Sequence, residues 1–318
     1  MYKKIFALSL CCFMSFASYG ADDDLIREAQ DTFNAAQLVC SGVSDEISKV
    51  SNVSKVNTAV TAVGTVAATG ALYAGVKKSQ EEKEIDELVE KMCAAGGCTP
   101  DGVRKMSDAE FFYKVIEPMA EIAELQERLK KSKKLGNWRT GLMAGTIGTN
   151  VVSAILSGVN KNQSDLIQHI QACNEAMVSV NLVSDKLRRQ GVSPIEYPVV
   201  KRLDSIKTWC NSMNVSDVEK IEKRMTGVMG TSIAGAVIGV AGTATSAAAN
   251  SDKYMDEEKR VRLTEQEKKK KDNLNTAANI MAGANIVTGA VETGLNISLI
   301  NLTKKLIKQA EQCEKVFE

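Results

Sequence analysis

Four stretches of this chain carry almost no charge and few bulky residues, and the rest of the sequence is arranged around them. We call them segments 1 to 4: Val56–Val76, Gly141–Val159, Gly227–Asn250 and Asn275–Leu302. Segment 1 continues a stripe of Val and Ile residues at steps of three and four, which is the spacing of one face of an α-helix. Charged stretches with helical spacing flank the segments, and no strand pattern precedes them. The sequence therefore predicts an all-α protein of long helices.

Small residues also recur in the segments at a step of four, and such a row makes one face of a helix flat. A facing helix can then approach until the two backbones nearly touch. We therefore predict that the helices pack through seams of Gly, Ala, Ser and Thr. The predicted seam residues include Gly141, Gly145, Ser153, Gly227, Gly235 and Gly239.

The order of cysteine, segment, charged stretch, segment and cysteine occurs twice along the chain. This internal repeat predicts two related, long antiparallel helical hairpins, residues 21–189 and residues 200–318. Residues 190–199 hold two of the four prolines and are the predicted linker between the hairpins.

Local signals predict where individual helices stop. Ser41-Gly42 and Gly136-Asn137 are expected to break the chain, because Gly and Asn favour turns. A single charged helix is expected over Asp252–Asp272. The acidic run after segment 1 is expected to be a solvated helix face that needs no catalytic explanation. Its carboxylates are Glu81, Glu82, Glu84, Asp86 and Glu87.

Residues 1–20 have the layout of a secretory signal peptide. A short basic start, Tyr2-Lys3-Lys4, precedes the apolar run Ile5–Phe16, and small residues follow it before Ala21. The sequence therefore predicts an exported protein. An uncleaved membrane anchor is the alternative, and the shortness of the apolar run makes it the less favoured one.

Export to an oxidising compartment makes disulfides the first interpretation of the cysteines. The spacing of the repeat brings Cys40 level with Cys173, and Cys210 level with Cys313, in antiparallel helices that rise ~1.5 Å per residue. We predict these two pairs, and a local bridge between Cys93 and Cys98 across a Gly-Gly turn. The alternative is that the spacing is coincidental, because connectivity does not follow from sequence alone.

The motifs of common enzyme and binding classes are missing from the sequence. A formal net charge of +1 gives no reason to expect nucleic acid as a partner. His169 is the single histidine, the cysteines are scattered, and no Gly-rich phosphate loop follows a strand. We therefore predict a non-enzymatic protein without metal, cofactor or small-molecule substrate.

Two functions remain for such a chain. The first is a periplasmic or envelope-associated helical scaffold or interaction module that binds a protein partner or itself. The alternative is an inner-membrane or membrane-inserting protein with up to four spanning helices, which could line a pore. Segment length and the Lys-rich flanks permit spanning. Asn57, Glu292 and the scarcity of Leu and Phe favour a seam that tolerates water.

Overall fold

The computed structural model describes residues 21–95, 106–107, 110, 122–161, 164–192, 195, 197–210, 215–256, 259–260 and 262–317. Within these residues the regular structure is helical and contains no strand, which confirms the all-α fold class. The helices are α1 (Ala21–Cys40), α2 (Val43–Ala95), α3 (Ile122–Lys161), α4 (Ser164–Arg189), α5 (Pro198–Cys210), α6 (Val215–Ala249), α7 (Asp252–Met255) and α8 (Glu265–Glu314).

Each segment lies within one long helix. Helices α2, α3, α6 and α8 contain 53, 40, 35 and 50 residues and carry segments 1 to 4 in that order, with segment 3 passing one residue beyond α6. At ~1.5 Å per residue, α2 alone is about 80 Å long. Helices of this length need packed faces along much of their course, because propensity by itself gives little stability.

The chain divides into two compact units that each collect residues from distant parts of the sequence. Unit 1 comprises the described residues of Met1–Lys49, Gln163–Glu219 and Leu302–Glu318. Unit 2 comprises those of Val50–Asn162 and Lys220–Asn301. The sequential hairpins at 21–189 and 200–318 describe a repeat in the sequence, and that repeat stays a prediction.

Unit 1 is built by α1, α4 and α5, which pack against one another, together with the ends of longer helices. The buried ring of Phe33 meets Phe317 edge to face, with ring centroids 5.8 Å apart. The Arg202 guanidinium lies 5.5 Å from the centre of the Phe33 ring. These contacts join α1 to α5 and to the chain that follows α8.

The predicted break at Ser41-Gly42 is confirmed. Gly42 has a φ of 81°, a left-handed conformation that glycine adopts at little cost. Helix α2 then starts with its free backbone donors near Glu314 of α8. The Glu314 carboxylate accepts hydrogen bonds from Ser44 N, at 3.0 Å, and from Ser44 Oγ, at 2.5 Å. A carboxylate at a helix start is also favoured by the helix dipole.

Unit 2 is a four-helix bundle formed by segments 1 to 4. One small apolar cluster lies between these helices: Ala71, Met143 and Ala282 are buried together, with Leu72, Leu142 and Met281 partly buried against them. Thr149 of α3 lies against Gly64 of α2, so the two helices approach closely there. Much of the remaining interior is polar, as described below.

Two expected helix boundaries are wrong. Helix α3 continues through Gly136 and Asn137, where the glycine leaves room for the Asn250 side chain, which donates to Asn137 Oδ1 at 2.5 Å. This glycine therefore reflects a close tertiary contact instead of a turn.

The expected helix over Asp252–Asp272 is also interrupted. Helix α7 ends at Met255, and α8 begins at Glu265, so Thr264 directly precedes α8 and Glu267 lies in its first turn. These two residues exchange side chain-to-backbone hydrogen bonds of 2.9 and 3.1 Å, forming a capping box that starts a new helix.

Candidate functional site

Polar side chains fill much of the interior of the bundle in unit 2. Every one of the four segments contributes buried hydroxyl, amide or carboxyl groups. They are Asn57, Thr61, Thr146, Asn150, Ser153, Ser157, Ser232, Ser246, Asn275, Asn285, Glu292 and Asn296. Burial of such groups is costly unless they find hydrogen-bond partners, so their arrangement decides what the interior can do.

Aliphatic side chains lie on the outside of the same segments. The large exposed apolar residues there are Val56, Val63, Val66, Tyr73, Val76, Val151, Val152, Ile155, Val159, Ile233, Val237, Val240, Ile280, Val287, Val291 and Ile297. No exposed residue of the four segments carries a charge. We call this surface the uncharged band. In soluble proteins large aliphatic side chains are mostly buried, so a surface with this many exposed apolar residues and no charge is a candidate interaction site.

Glu292 of α8 is the only charged residue in the segments, and its side chain points into the bundle. Its Oε1 atom accepts hydrogen bonds from Ser153 Oγ of α3 and from Ser232 Oγ of α6, the latter at 2.7 Å. The two serine oxygens are 3.0 Å apart. Glu292 is 1% exposed, and its second oxygen, Oε2, has no hydrogen-bond partner. Three helices therefore meet around one carboxylate.

Further polar contacts lie along the interior on either side of Glu292. Asn57 Nδ2 of α2 donates to Ser157 Oγ of α3 at 3.1 Å. Asn285 Nδ2 of α8 donates to Thr146 Oγ1 of α3 at 3.5 Å. Each residue of these pairs is buried. The interior thus offers oxygen and amide groups at several levels.

A second group of buried charges lies just outside the segments. Arg139 of α3 is fully buried and donates to Ser246 Oγ at 2.8 Å and to Asn275 Oδ1 at 2.9 Å. Lys78 of α2 is equally buried and donates to Asn275 Oδ1 at 3.3 Å and to the carbonyl of Ala249 at 3.1 Å. One asparagine of α8 therefore accepts bonds from two cations on two other helices.

Glu82 provides the buried negative charge of this group. It lies 3.2 Å from Lys78 Nζ and 3.2 Å from Lys271 Nζ. The expectation that Glu82 belongs to a solvated face is wrong, because these lysines enclose it and leave it 3% exposed. Glu81 is also buried, whereas Glu84 and Glu87 are exposed as expected.

The cations outnumber the carboxylates in this group. Arg260 donates to Asp86 Oδ1 at 2.6 Å, and Lys271 lies 3.8 Å from the other oxygen of Asp86. Burial lowers the pKa of Lys271, although the nearby Glu82 carboxylate opposes that change. We call Lys78, Glu82, Arg139, Arg260 and Lys271 the buried charged cluster.

Some predicted seam residues pack closely, and others face open space. Gly141 and Gly145 are exposed, and a Cβ atom built on either would meet no atom within 4 Å. A Cβ atom on Gly227 would lie 3.2 Å from Leu295 Cδ1. Ser153 is fully buried and contacts Glu292, as described above.

Among the predicted seam glycines, the closest approaches involve Gly235 and Gly239 of α6. A Cβ atom on Gly235 would lie 2.6 Å from Asn150 Nδ2, and one on Gly239 would lie 2.8 Å from Ile147 Cγ1. Real Cβ atoms do not tolerate such distances without movement of the neighbour. These glycines let α6 approach α3 at the level of the polar interior.

Two cysteine pairs in unit 1 are at disulfide distance. The Cα atoms of Cys40 and Cys173 are 4.8 Å apart, and those of Cys210 and Cys313 are 4.7 Å apart. Both pairs agree with the sequence prediction and fit an oxidising compartment. Cys98 lies outside the described residues, so the Cys93–Cys98 bridge stays a prediction, as does the signal peptide at 1–20.

Within the part of the chain that the structure describes, three helices are long and apolar enough to cross a membrane by length and composition. They fall within Asp23–Met92, Ala123–Val159 and Ser216–Ala249, each with a window of mean hydropathy 1.5. Among the described residues there is no cluster of three or more His, Cys, Asp or Glu for a metal ion. His169 Nδ1 lies 3.1 Å from Glu46 Oε2 in unit 1. Comparison with known protein families, curated proteins and solved structures found no match for this chain.

Sequence reasoning missed the arrangement around Glu292. It interpreted this carboxylate as a sign of a water-tolerant seam, because a carboxylate inside a membrane is costly without a partner. A usable signal was present, since Ser153 and Ser232 belong to small-residue segments of different helices. Their contact with Glu292 depends on how the helices are rotated, which a single sequence does not specify.

Proposed function

We propose that the protein is an exported envelope protein whose four segments span a membrane as a helical bundle with a polar interior. The observation that carries this proposal is the reversed distribution of side chains in unit 2, with aliphatic residues outside and polar residues inside. Lipid tails can cover the uncharged band, whereas water would leave it unfavourably exposed. Polar and ionisable residues of spanning helices characteristically face the bundle interior.

The size of the uncharged band supports a spanning role. Segment 1 extends about 30 Å at ~1.5 Å per residue, which equals the thickness of a bilayer hydrocarbon core of about 30 Å. The exposed lysines Lys55 and Lys77 flank it directly. Charged residues next to the ends of a span anchor it at the membrane surfaces.

Helix α8 needs a separate explanation, because it is not among the three helices with enough mean hydropathy. Its polar residues Asn285, Glu292 and Asn296 lie inside the bundle, and they lower the average for the whole helix. Its outer face instead carries Ile280 and Val287 among its exposed residues. A helix whose other sides pack against protein needs an apolar surface only on the side that contacts lipid.

Chain order then suggests a topology. Cys40 precedes segment 1 and Cys173 follows segment 2, and in the same way Cys210 precedes segment 3 and Cys313 follows segment 4. In four successive crossings these positions all lie on the same side of the membrane. Export would put that side in the oxidising compartment. Lysines and arginines concentrate in the stretches that join segment 1 to segment 2 and segment 3 to segment 4. The positive-inside tendency assigns those connections to the cytoplasm.

The second candidate is the soluble scaffold expected from sequence, in which further copies of the chain cover the uncharged band. The low mean hydropathy of the whole chain, −0.13, favours it, as does the absence of α8 from the apolar helices. In this arrangement the band is a protein–protein interface, and all charged connections remain in the periplasm.

Fractionation and sided labelling separate the two candidates. We expect the chain to remain in the membrane pellet after an alkaline wash. In this topology Cys93 and Cys98 are free thiols in place of the bridge predicted from the sequence, and we expect them to be shielded from a membrane-impermeant thiol reagent until the inner membrane is opened. Release into the wash, with labelling from outside after reduction, would instead identify the periplasmic scaffold.

A further inference from the structure

We propose that Glu292, Ser153 and Ser232 form a binding site for a single small alkali-metal cation of the sodium class. The site deepens the proposed function, and its physiological meaning as a site inside a membrane rests on that function. Its geometry belongs to unit 2 alone. The three oxygen-bearing residues come from α8, α3 and α6.

The number of hydrogens available at this site is too small for the number of contacts. Four close oxygen–oxygen contacts occur: Ser153 with Ser232, each serine with Glu292 Oε1, and Ser232 with the carbonyl of Val228. Each hydroxyl has one hydrogen to donate. With Glu292 ionised, two hydrogens serve four contacts, and the remaining oxygen pairs face each other without a donor.

The charge at the site is also uncompensated. Glu292 is 1% exposed, and its polar contacts among the described residues are the hydroxyls of Ser153 and Ser232, with no cation beside it. Its Oε2 atom is buried without a hydrogen-bond partner. An ionised carboxylate in such surroundings needs a positive partner. A cation bound to oxygens of Glu292 and the serines would supply both the missing charge and the missing contacts.

The charge and the oxygen count favour a monovalent metal ion. One carboxylate neutralises one positive charge, whereas a divalent ion would leave a net charge in a poorly solvated site. A single proton would supply one further hydrogen, which leaves one of the four contacts without a donor and Oε2 without a partner. A metal ion contacts several oxygens at once, and carboxylate and hydroxyl oxygens are hard ligands suited to it.

Neighbouring polar groups offer a route to the site. Asn296 lies one helical turn beyond Glu292 on α8, and Ser157 lies one turn beyond Ser153 on α3. Both are buried, and Ser157 accepts a hydrogen bond from Asn57. Asn296 Nδ2 and Asn57 Oδ1 have no hydrogen-bond partners. The polar groups of Asn57, Ser157 and Asn296 can therefore solvate an ion that moves towards Glu292.

The test uses the purified full-length protein in detergent micelles. Its thermal unfolding is followed in sodium, lithium, potassium or choline chloride at equal ionic strength, and binding of radioactive sodium is measured directly. We expect sodium to raise the unfolding midpoint in a saturable way, by roughly 3 °C or more relative to choline. Bound sodium should approach one ion per chain.

Three variants make the result specific. Glu292→Gln keeps the shape of the side chain and should abolish both the sodium shift and the binding. Ser232→Ala keeps the carboxylate and should weaken sodium binding roughly tenfold, as expected for the loss of one ligand. Glu267→Gln alters a half-buried carboxylate outside the segments and should bind sodium as the wild type does.

Equal midpoints in sodium and choline, with no bound sodium in the wild type, would overturn the proposal. Stabilisation by acid alone would also overturn it, because the site would then hold a proton only. The membrane assignment is judged separately, by the alkaline wash. If the chain binds sodium but is released from the membrane fraction, the cation site stands and the proposed membrane-spanning function fails. If the chain stays in the membrane fraction but binds no sodium, only the cation site is refuted.

Discussion

A lysine placed in the middle of the uncharged band tests whether lipid covers it. Val66 is 72% exposed on α2, so the variant Val66→Lys introduces no clash inside the bundle. The residue lies midway along segment 1, about 15 Å from either end at ~1.5 Å per residue. The four-carbon stem of lysine does not reach that far, so the ammonium group cannot escape to the membrane surface.

The expected penalty follows from this position. A lysine at the centre of a spanning helix costs about 2.5–3.5 kcal/mol in apparent insertion free energy. This corresponds to roughly a hundredfold change in the insertion equilibrium, because each ~1.4 kcal/mol is a factor of ten. An exposed valine facing water would instead tolerate the change within about 0.5 kcal/mol.

Sided labelling measures this effect, because three other segments still hold the chain in the membrane. In the wild type we expect Cys93 to be shielded from a membrane-impermeant thiol reagent. In Val66→Lys, segment 1 should fail to insert in a large fraction of molecules, and Cys93 should then be labelled from outside after reduction. The matched control is Leu182→Lys, which alters a 61% exposed apolar residue of α4 in unit 1 and should leave the labelling unchanged. Identical labelling and yield of the two variants would refute the lipid-facing assignment of the band.

Three further predictions concern packing, cross-linking and pH. Gly239→Ala should lower the thermal unfolding midpoint relative to Gly145→Ala, because only the first meets a neighbour closer than van der Waals contact; equal midpoints would contradict the close approach of α6. Replacing Cys210 and Cys313 by alanine opens a loop with a sequence separation of 103. For a loop of this length the loop-entropy relation gives a loss of about 4.7 kcal/mol in the free energy of unfolding. Denaturant unfolding with and without reductant measures this loss, and an unchanged wild type on reduction would count against the bridge. The hydrogen bond from Lys253, together with bonds from Thr264, lowers the pKa of Glu267 to about 2. The ionised Glu267 therefore contributes to stability above its ordinary pKa of 4.5, and this contribution is lost as the pH falls from there towards 2. In Glu267→Gln, the free energy of unfolding should depend less on pH in that window.

The helical fold and the two disulfide pairs could be predicted because both depend on regular spacing. The 3.6-residue period of the helix places Val and Ile on one face, whatever the partner is. A constant rise per residue converts sequence distance into length, so Cys40 and Cys173 could be matched without knowing which face each helix presents. Ser41-Gly42 was recognisable for a local reason, the left-handed backbone that glycine permits.

The candidate site could not be predicted, because it depends on how each helix is rotated about its own axis. A step-of-four row defines a face but not the surface that this face contacts. Gly141 and Gly235 belong to equivalent rows, yet the first is exposed and the second meets Asn150. The sequence predicted that Glu82 faces solvent, because the neighbouring residues of its own helix are acidic. The lysines that bury it include Lys271, which is far away in the sequence.

The buried charged cluster also constrains the order in which the molecule can be made. Arg139 and Lys78 belong to the first two long helices, and both depend on Asn275 of the last. During synthesis these cations emerge well before their common acceptor exists. The nascent chain must therefore keep these side chains hydrated, or paired in another way, until α8 is complete. Chains truncated before α8 lose the acceptor that Lys78 and Arg139 share, and they keep the contacts of Lys78 with Glu82 and Ala249 and of Arg139 with Ser246.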